Sequence, residues 1–212
     1  MFAALVGCYD RLNMVMTCGM DRRWRRLLVE AALSRGASRV LDLASGTGDV
    51  ALLLQQRGVD VTAADFCAPM LKEAKRKGVL ETIEADALNL PFGECSFDVV
   101  TIAWGFRNFS NRARALSEIR RVLKPGGGLY ILESSAPEGW PRPFHQFYCH
   151  RVIPAWGWLL ARHVPAYRYL ARTVSDFPSP PELARQLETA GFSSVSWRVL
   201  GMGAVCLHSA ES

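Results

Sequence analysis

The stretch RVLDLASGTGD, Arg39 to Asp49, decides the fold. Val40, Leu41, Leu43 and Ala44 form a short apolar run interrupted by Asp42, and the run stops at Ser45-Gly46-Thr47-Gly48. That pattern reads as a buried strand turning tightly into a helix. Gly46 and Gly48 can take positive φ and carry no Cβ, so both are expected to let bare backbone approach a ligand faced by the free N–H groups of the next helix. The spacing also satisfies G-x-G-x-x-A through Ala51, a dinucleotide fingerprint. Asp42, inside the strand, argues differently, because a carboxylate there suits a cationic ligand better than a pyrophosphate. The plain alternative, a glycine turn that only links strand to helix, is weakened by what lies downstream.

Asp49 to Gln56 reads as a helix closed by Gly58, and Val59 to Ala64 as a second strand ending at Asp65. A carboxylate at that strand end can accept from both hydroxyls of a ribose, which NAD and S-adenosylmethionine share. Pro69 to Lys77 gives the next helix, Leu80 to Ala85 a third strand, and Asp86-Ala87 its exit. Asp86 is placed to accept from an adenine amino group, or is simply an exposed aspartate at a loop start. Phe97 to Ala103 is apolar on both faces, as a central parallel strand should be, and it opens into a loop carrying Arg107 and Asn108 between aromatics. Arg112 to Leu123 is the next helix, with Gly126 expected as its left-handed cap, and Leu129 to Leu132 is a fifth strand. This alternation predicts a parallel, doubly wound α/β sheet. After a helix at Pro180 to Ala190, strands Phe192 to Val199 and Val205 to His208 are too closely joined for a parallel crossover and form an antiparallel hairpin, which makes seven strands.

At 212 residues and 50% hydrophobic, the chain buries one good core, so residues 1–212 are expected as one domain with a helical segment at 1–36 and an insertion at about 137–176. In the first segment Asp21 is expected to cap a helix on which Trp24, Leu27, Leu28 and Ala31 share a face. Arg22, Arg23, Arg25 and Arg26 crowd its first turns against the helix dipole, so either an acidic partner (lipid phosphate or a carboxylate of the fold) answers them or they form a solvated face. The insertion interleaves aromatics with arginines and histidines; such side chains stack on bases, sit at a membrane interface, roof an aromatic substrate, or simply pack. Six scattered cysteines without a C-x-x-C pair or a histidine at ligand spacing predict reduced thiols and no metal site. With no basic region ahead of the first apolar residues and no apolar run of about 18 residues, no cleaved signal or membrane span is expected. The cytoplasm is the default location, with peripheral attachment to the inner face of the membrane left open; a net charge of +5 is compatible with that and decides nothing.

Parallel strands ending in an antiparallel hairpin are not the paired mononucleotide halves of a dehydrogenase; they fit a methyltransferase. YDRLN with W-R downstream, LDLASGTGD, the acidic end of AAD, EADALNLPF, FDVVTIAWGFRN, RVLKPGGGLYILE, H-R-V-I-P and Y-R-Y-L follow one another in this chain. In these blocks the sequence resembles, over nearly its whole length, the UbiE/MenG-type C-methyltransferases of ubiquinone and menaquinone biosynthesis. The resemblance implies a class I Rossmann-like fold, S-adenosylmethionine as methyl donor, and methylation of a ring carbon on a prenylated hydroquinone, above all demethylmenaquinol. It also implies donor-binding roles for Thr47 and Asp65, a place near adenine for Asp86 and Ala87, and a lost side-chain contact at Ala103, where the family often has serine.

An aromatic carbon becomes nucleophilic when its neighbouring hydroxyl ionises, so the site must hold the ring near attack distance and stabilise the negative oxygen. Arg107 and Asn108 are the candidates for that oxygen, and His145 or His150 for taking the proton. No nucleic-acid partner is expected, and a homodimer is left open. Two other readings survive at this stage: a methyltransferase of another small aromatic or of nucleic acid, and a non-catalytic protein that binds the donor or a partner.

Overall fold

The computed structural model describes residues 14, 17, 19–135, 172–174 and 176–212. Its elements in chain order are α1 (Met20–Leu33), β1 (Arg39–Leu43), α2 (Asp49–Gln55), β2 (Asp60–Asp65), α3 (Ala68–Lys77), β3 (Glu81–Glu84), β4 (Phe97–Ala103), α4 (Arg112–Val122), β5 (Leu123–Ser134), α5 (Pro180–Thr189), β6 (Ser193–Leu200) and β7 (Val205–Glu211). They build one seven-stranded sheet in the order β3-β2-β1-β4-β5-β7-β6. β3, β2, β1, β4 and β5 run parallel, while β7 is antiparallel to both β5 and β6. The expected fold is therefore the observed one, and the order reverses between β1 and β4, where open α/β sheets leave a crevice.

Strand alternation divides the core in two. Leu41 and Leu43 of β1, Val100 and Ile102 of β4, and Leu129 and Ile131 of β5 pack with Leu116 and Ile119 of α4 and Leu183 and Leu187 of α5. Val40, Val99, Tyr130 and Leu132 pack on the opposite side with Trp24 and Leu28 of α1 and Val50 and Leu54 of α2. Successive residues of a strand face opposite sides. Asp42 therefore shares the α1/α2 side with Val40, and Glu133 the α4/α5 side with Ile131.

Three sequence expectations are corrected. Asp21 does not cap α1: the helix starts at Met20 behind a left-handed Gly19, and the buried Asp21 carboxylate takes Arg25 at 2.6 Å instead. The buried face of α1 is accordingly Asp21, Trp24, Arg25, Leu28, Val29 and Ala32, with Leu27 and Ala31 at its margin. Nor does Gly126 cap α4. Leu123 is already extended and pairs with Phe97, so β5 begins at once, and the chain bulges outward through the left-handed Gly126 before pairing resumes between Val99 and Gly128. The last strand runs on from His208 to Glu211 because it pairs with β5 along that length. The proposed insertion falls mostly outside the described residues, as does the chain ahead of residue 14.

The two glycines of the turn serve different masters. A Cβ on Gly48 (φ +81) would lie 2.5 Å from Val79 Cγ2 and 2.9 Å from Ala74 Cβ, whereas one on Gly46 (φ +57) would meet nothing within 4 Å. Gly48 thus lets α2 close onto the end of α3, and only Gly46 faces open space. Gly48→Ala combines left-handed strain with overpacking and should lose about 2–4 kcal/mol of stability in urea denaturation, against about 1 kcal/mol for Gly46→Ala.

Candidate functional site

β1 and β4 both end in a left-handed non-glycine residue, Ala44 (φ 55) and Trp104 (φ 55), and the two exits press together, with Gly105 backed directly against Ala44. Strained backbone of this kind collects at ligand sites. Above it opens a cavity of about 370 Å³ walled by Leu43, Ala44, Gly46, Asp65, Phe66, Met70, Asp86, Ala87, Leu88, Ala103, Trp104, Asn108 and Phe109, among others. A second cavity of about 30 Å³ is walled by Arg25, Asp42, Ser45, Thr47, Asp49 and Val50, and shares Ala44, Gly46 and Ala103 with the first. Of the donor residues expected from sequence, Asp65, Asp86 and Ala87 therefore meet in the larger space, and Asp42 and Thr47 in the smaller. Gly46 and Ala103 join the two.

In the larger cavity Asp65 is held by two turns, the one after β1 and its own: Gly46 N–H donates to Oδ2 and Cys67 N–H to Oδ1, each at 2.8 Å. Burial raises its pKa above the ordinary carboxylate value, and the amides of Cys67, Gly46 and Phe66 oppose the rise without cancelling it. Each oxygen keeps a second lone pair, which is the capacity a vicinal diol needs. Asp86 is exposed and accepts from the Leu88 N–H at 2.9 Å, so it shapes the loop beside the buried Ala87 as well as lining the cavity.

The smaller cavity is a charge cluster. Asp42 is 1% exposed; its Oδ1 accepts from Thr101 Oγ1 at 2.9 Å, and its Oδ2 has no hydrogen-bond partner among the described residues. Burial pushes its pKa up to about 7, against smaller downward pulls from Thr101 and Arg25. Arg25, read from sequence as one of four interchangeable basic residues, is buried, reaches Asp21 at 2.6 Å and Asp49 at 3.1 Å, and lies over the Trp104 ring at 5.0 Å. Of the alternatives left open from sequence for these arginines, a carboxylate of the fold is the one found for Arg25, and the i,i+4 spacing from Asp21 was the available signal. Thr47 Oγ1 accepts from Lys77 Nζ at 3.0 Å, and Lys77 also pairs with Asp49 at 2.5 Å.

The loop after β4 forms a single 3-10 turn, Phe106–Asn108. Asn108 lines the larger cavity, whereas the Arg107 guanidinium turns to Glu133, with NH1 to Oε1 at 2.5 Å. The side chains of this pair are 7% and 1% exposed. Among the described residues Arg107 Nε is a buried donor without a partner. Glu133 was missed from sequence: it closes a quoted block, but nothing local marks a buried carboxylate. His145, the candidate proton acceptor, lies outside the described residues, as does His150.

A carboxylate oxygen and a guanidinium in one small cavity match the ammonium and carboxylate of an amino acid, and an adjoining cavity with a diol acceptor matches a nucleoside. S-adenosylmethionine joins those two parts through a sulfonium, and the residues present fit it. Residues 1–212 match the ubiE/COQ5 methyltransferase family. The chain is 44% identical to the demethylmenaquinone methyltransferase of Thermus thermophilus, with 98% of each chain covered. It is 40% identical to the ubiquinone/menaquinone biosynthesis C-methyltransferase UbiE of Desulfotalea psychrophila, over 98% of this chain and 87% of that one. Among solved structures, a SAM-dependent methyltransferase of Thermotoga maritima, described as a possible histamine N-methyltransferase, superposes with a TM-score of 0.73 at 20% identity, covering 99% and 97% of the two chains, a likeness of fold. The chain belongs to the ubiE/COQ5 methyltransferase family and is an S-adenosylmethionine-dependent methyltransferase built on the class I fold.

Proposed function

We propose that the protein methylates a ring carbon of a prenylated hydroquinone, converting demethylmenaquinol to menaquinol, as a single domain spanning residues 1–212. The observation that carries the substrate class is the end-to-end match to relatives named for that step. The paired cavities support the donor half of the reading. Bound S-adenosylmethionine supplies an electrophilic methyl group on a cationic sulfur. Asp42 and Arg25 hold its amino-acid end, Asp65 accepts from the ribose hydroxyls, Gly46 and Thr47 shape the turn beneath it, and Asp86 with Ala87 borders the base.

On the acceptor side, Asn108 at the cavity wall and the neighbouring Arg107 orient the quinol oxygen and stabilise it as it ionises, and His145 takes the proton. Ala103 leaves the space between donor and ring free of a hydroxyl. Mass spectrometry of quinones from cells lacking the protein tests the function: demethylmenaquinone should accumulate and menaquinone disappear. An unchanged quinone profile would point to another aromatic acceptor.

The acceptor's isoprenoid tail partitions into lipid, so extracting it whole would cost about 0.8 kcal/mol per CH₂ left exposed. We read the protein as peripheral to the membrane, at its cytoplasmic face, lifting only the ring. No helix among the described residues is long and apolar enough to cross a bilayer. Arg22, Arg23 and Arg26 are exposed at the start of α1, together with Met20, 46% exposed. Gly201 lies against the Trp24 ring, and the next residue, Met202, is 81% exposed. Arg25 is excluded from this surface by its burial. Whether two copies share it is a matter for sedimentation.

Two outcomes check these assignments. Asp42 protonates in the folded protein up to about pH 7, against 3.8 ordinarily, so its contribution to stability falls as pH rises from about 4 to about 7. Donor affinity runs the other way, because a cationic donor favours the carboxylate. Kd should be about tenfold weaker at pH 6 than at pH 8, calorimetry in buffers of different ionisation heat should show proton release near pH 7, and Asp42→Asn should flatten the dependence. A wild-type Kd constant from pH 6 to 8 would remove Asp42 from the donor site. In liposome co-sedimentation, binding should require anionic lipid, weaken with salt, and drop in the triple variant Arg22→Gln, Arg23→Gln, Arg26→Gln; equal binding to neutral vesicles would contradict the electrostatic surface.

A further inference from the structure

The methyl-transfer reading leaves the buried Glu133 without a task. Glu133 stands at the carboxyl end of β5, one residue beyond Leu132, which pairs with Ala103 at the end of β4. Its side chain is 1% exposed, and its partners among the described residues belong to the strand end and the loop beside the cavity. Oε1 accepts from Arg107 NH1 at 2.5 Å and from the Ser134 N–H at 2.7 Å, while Oε2 accepts from the Arg107 main-chain N–H at 3.2 Å. One carboxylate therefore holds both the backbone and the side chain of Arg107. It fixes the 3-10 turn whose next residue, Asn108, forms cavity wall.

Two features point toward the reaction rather than toward stability alone. A buried ion pair is seldom more stable than the apolar side chains that would replace it. The pair also leaves Arg107 Nε buried with no acceptor among the described residues, and such a donor normally has one. A guanidinium pinned through Nη1 keeps its remaining donors in a fixed direction for an oxygen that arrives with the substrate.

We propose that Glu133 is the positioning residue of the acceptor side: it acts through Arg107, setting the Phe106–Asn108 turn and the guanidinium so that the donors Glu133 leaves on Arg107 are directed to the ionising oxygen of the quinol. The proposal rests on the oxyanion role assigned to Arg107 above. Glu133 touches neither reactant, so its loss should spare the donor. On the geometry alone it holds loop and guanidinium together, and an amide cannot do both, since its NH₂ would face one of the two Arg107 donors.

The test is a double-mutant cycle on kcat with a naphthoquinol acceptor, accompanied by calorimetry of donor binding and thermal unfolding. Glu133→Gln should lower kcat at least tenfold while the donor Kd stays within about twofold of wild type. Arg107→Gln should lower kcat about a hundredfold. The double variant, which buries no unpaired charge and so keeps the fold, should be no slower than Arg107→Gln, because Glu133 has no route to the reaction except through Arg107. If Glu133→Gln does not fold, Glu133→Asp, which retains the charge but withdraws it by one methylene, carries the same expectation. Wild-type kcat in the Glu133 variants, multiplicative losses in the double variant, or a donor Kd that weakens in step with kcat would each overturn the role of Glu133. Wild-type kcat in Arg107→Gln would instead overturn the oxyanion role, and Glu133's with it.

Discussion

The structure depends on a crowded crossing. β1 and β4 are hydrogen-bonded neighbours, yet their chains must leave the sheet in different directions, one into α2 and the other into the Arg107–Asn108 turn. Both do so through a left-handed residue, and Gly105 gives Ala44 the room a side chain would occupy. Two residues in left-handed backbone cost about 1–3 kcal/mol each, and the surrounding sheet has to overdetermine them. What that cost supports is a floor common to two cavities, with Ala44, Gly46 and Ala103 in both. Everything assigned to the donor stands around this floor.

The second constraint is electrostatic. A carboxylate as buried as Asp42 is expensive to ionise, and Thr101 supplies one hydrogen bond while leaving Oδ2 unanswered. Arg25 moderates the cost from α1, but it is itself held by Asp21 and Asp49, and Asp49 by Lys77. The chain α1–α2–α3 is thus cross-linked by charge directly over the smaller cavity. The apolar face of the first helix, Trp24, Leu28, Val29 and Ala32, docks it on the sheet, and the buried arginine ties that docked helix to α2 at the cavity.

How much of this was legible in the sequence follows from what kind of signal each residue leaves. Strands and helices of the first half announce themselves by apolar runs and glycine stops, and Asp42, Gly46, Asp65 and Asp86 are marked by their place at strand ends. Seven strands and the closing hairpin follow from spacing alone. Gly48 carried the same local mark as Gly46, but its partners, Ala74 and Val79, lie across the fold, and no local pattern distinguishes a glycine emptied for a ligand from one emptied for a helix. Gly126 was read as a cap because Lys-Pro-Gly-Gly-Gly looks like a stop; the pairing of Leu123 with Phe97, which turns it into a bulge, is a long-range contact. Arg25 and Glu133 were hidden for the same reason. Their meaning lies in burial, and burial of a charge is the property composition predicts least well.

Asp42 and Glu133 lie on opposite faces of one sheet, and that separation suits the proposed reaction. A cationic methyl donor and an ionising quinol give neutral products, so charge disappears as the bond forms. Strong stabilisation of either reactant's charge would lower the ground state more than the transition state and slow the step. Each charged group here arrives already partly satisfied: Asp42 by Thr101 and Arg25, Arg107 by Glu133, Arg25 by two aspartates. Groups compensated in this way retain direction while giving up much of their field. They orient cation and oxygen from two sides of the sheet, and the apolar walls between them, Leu43, Ala103 and Trp104 among them, favour the loss of charge that the chemistry requires.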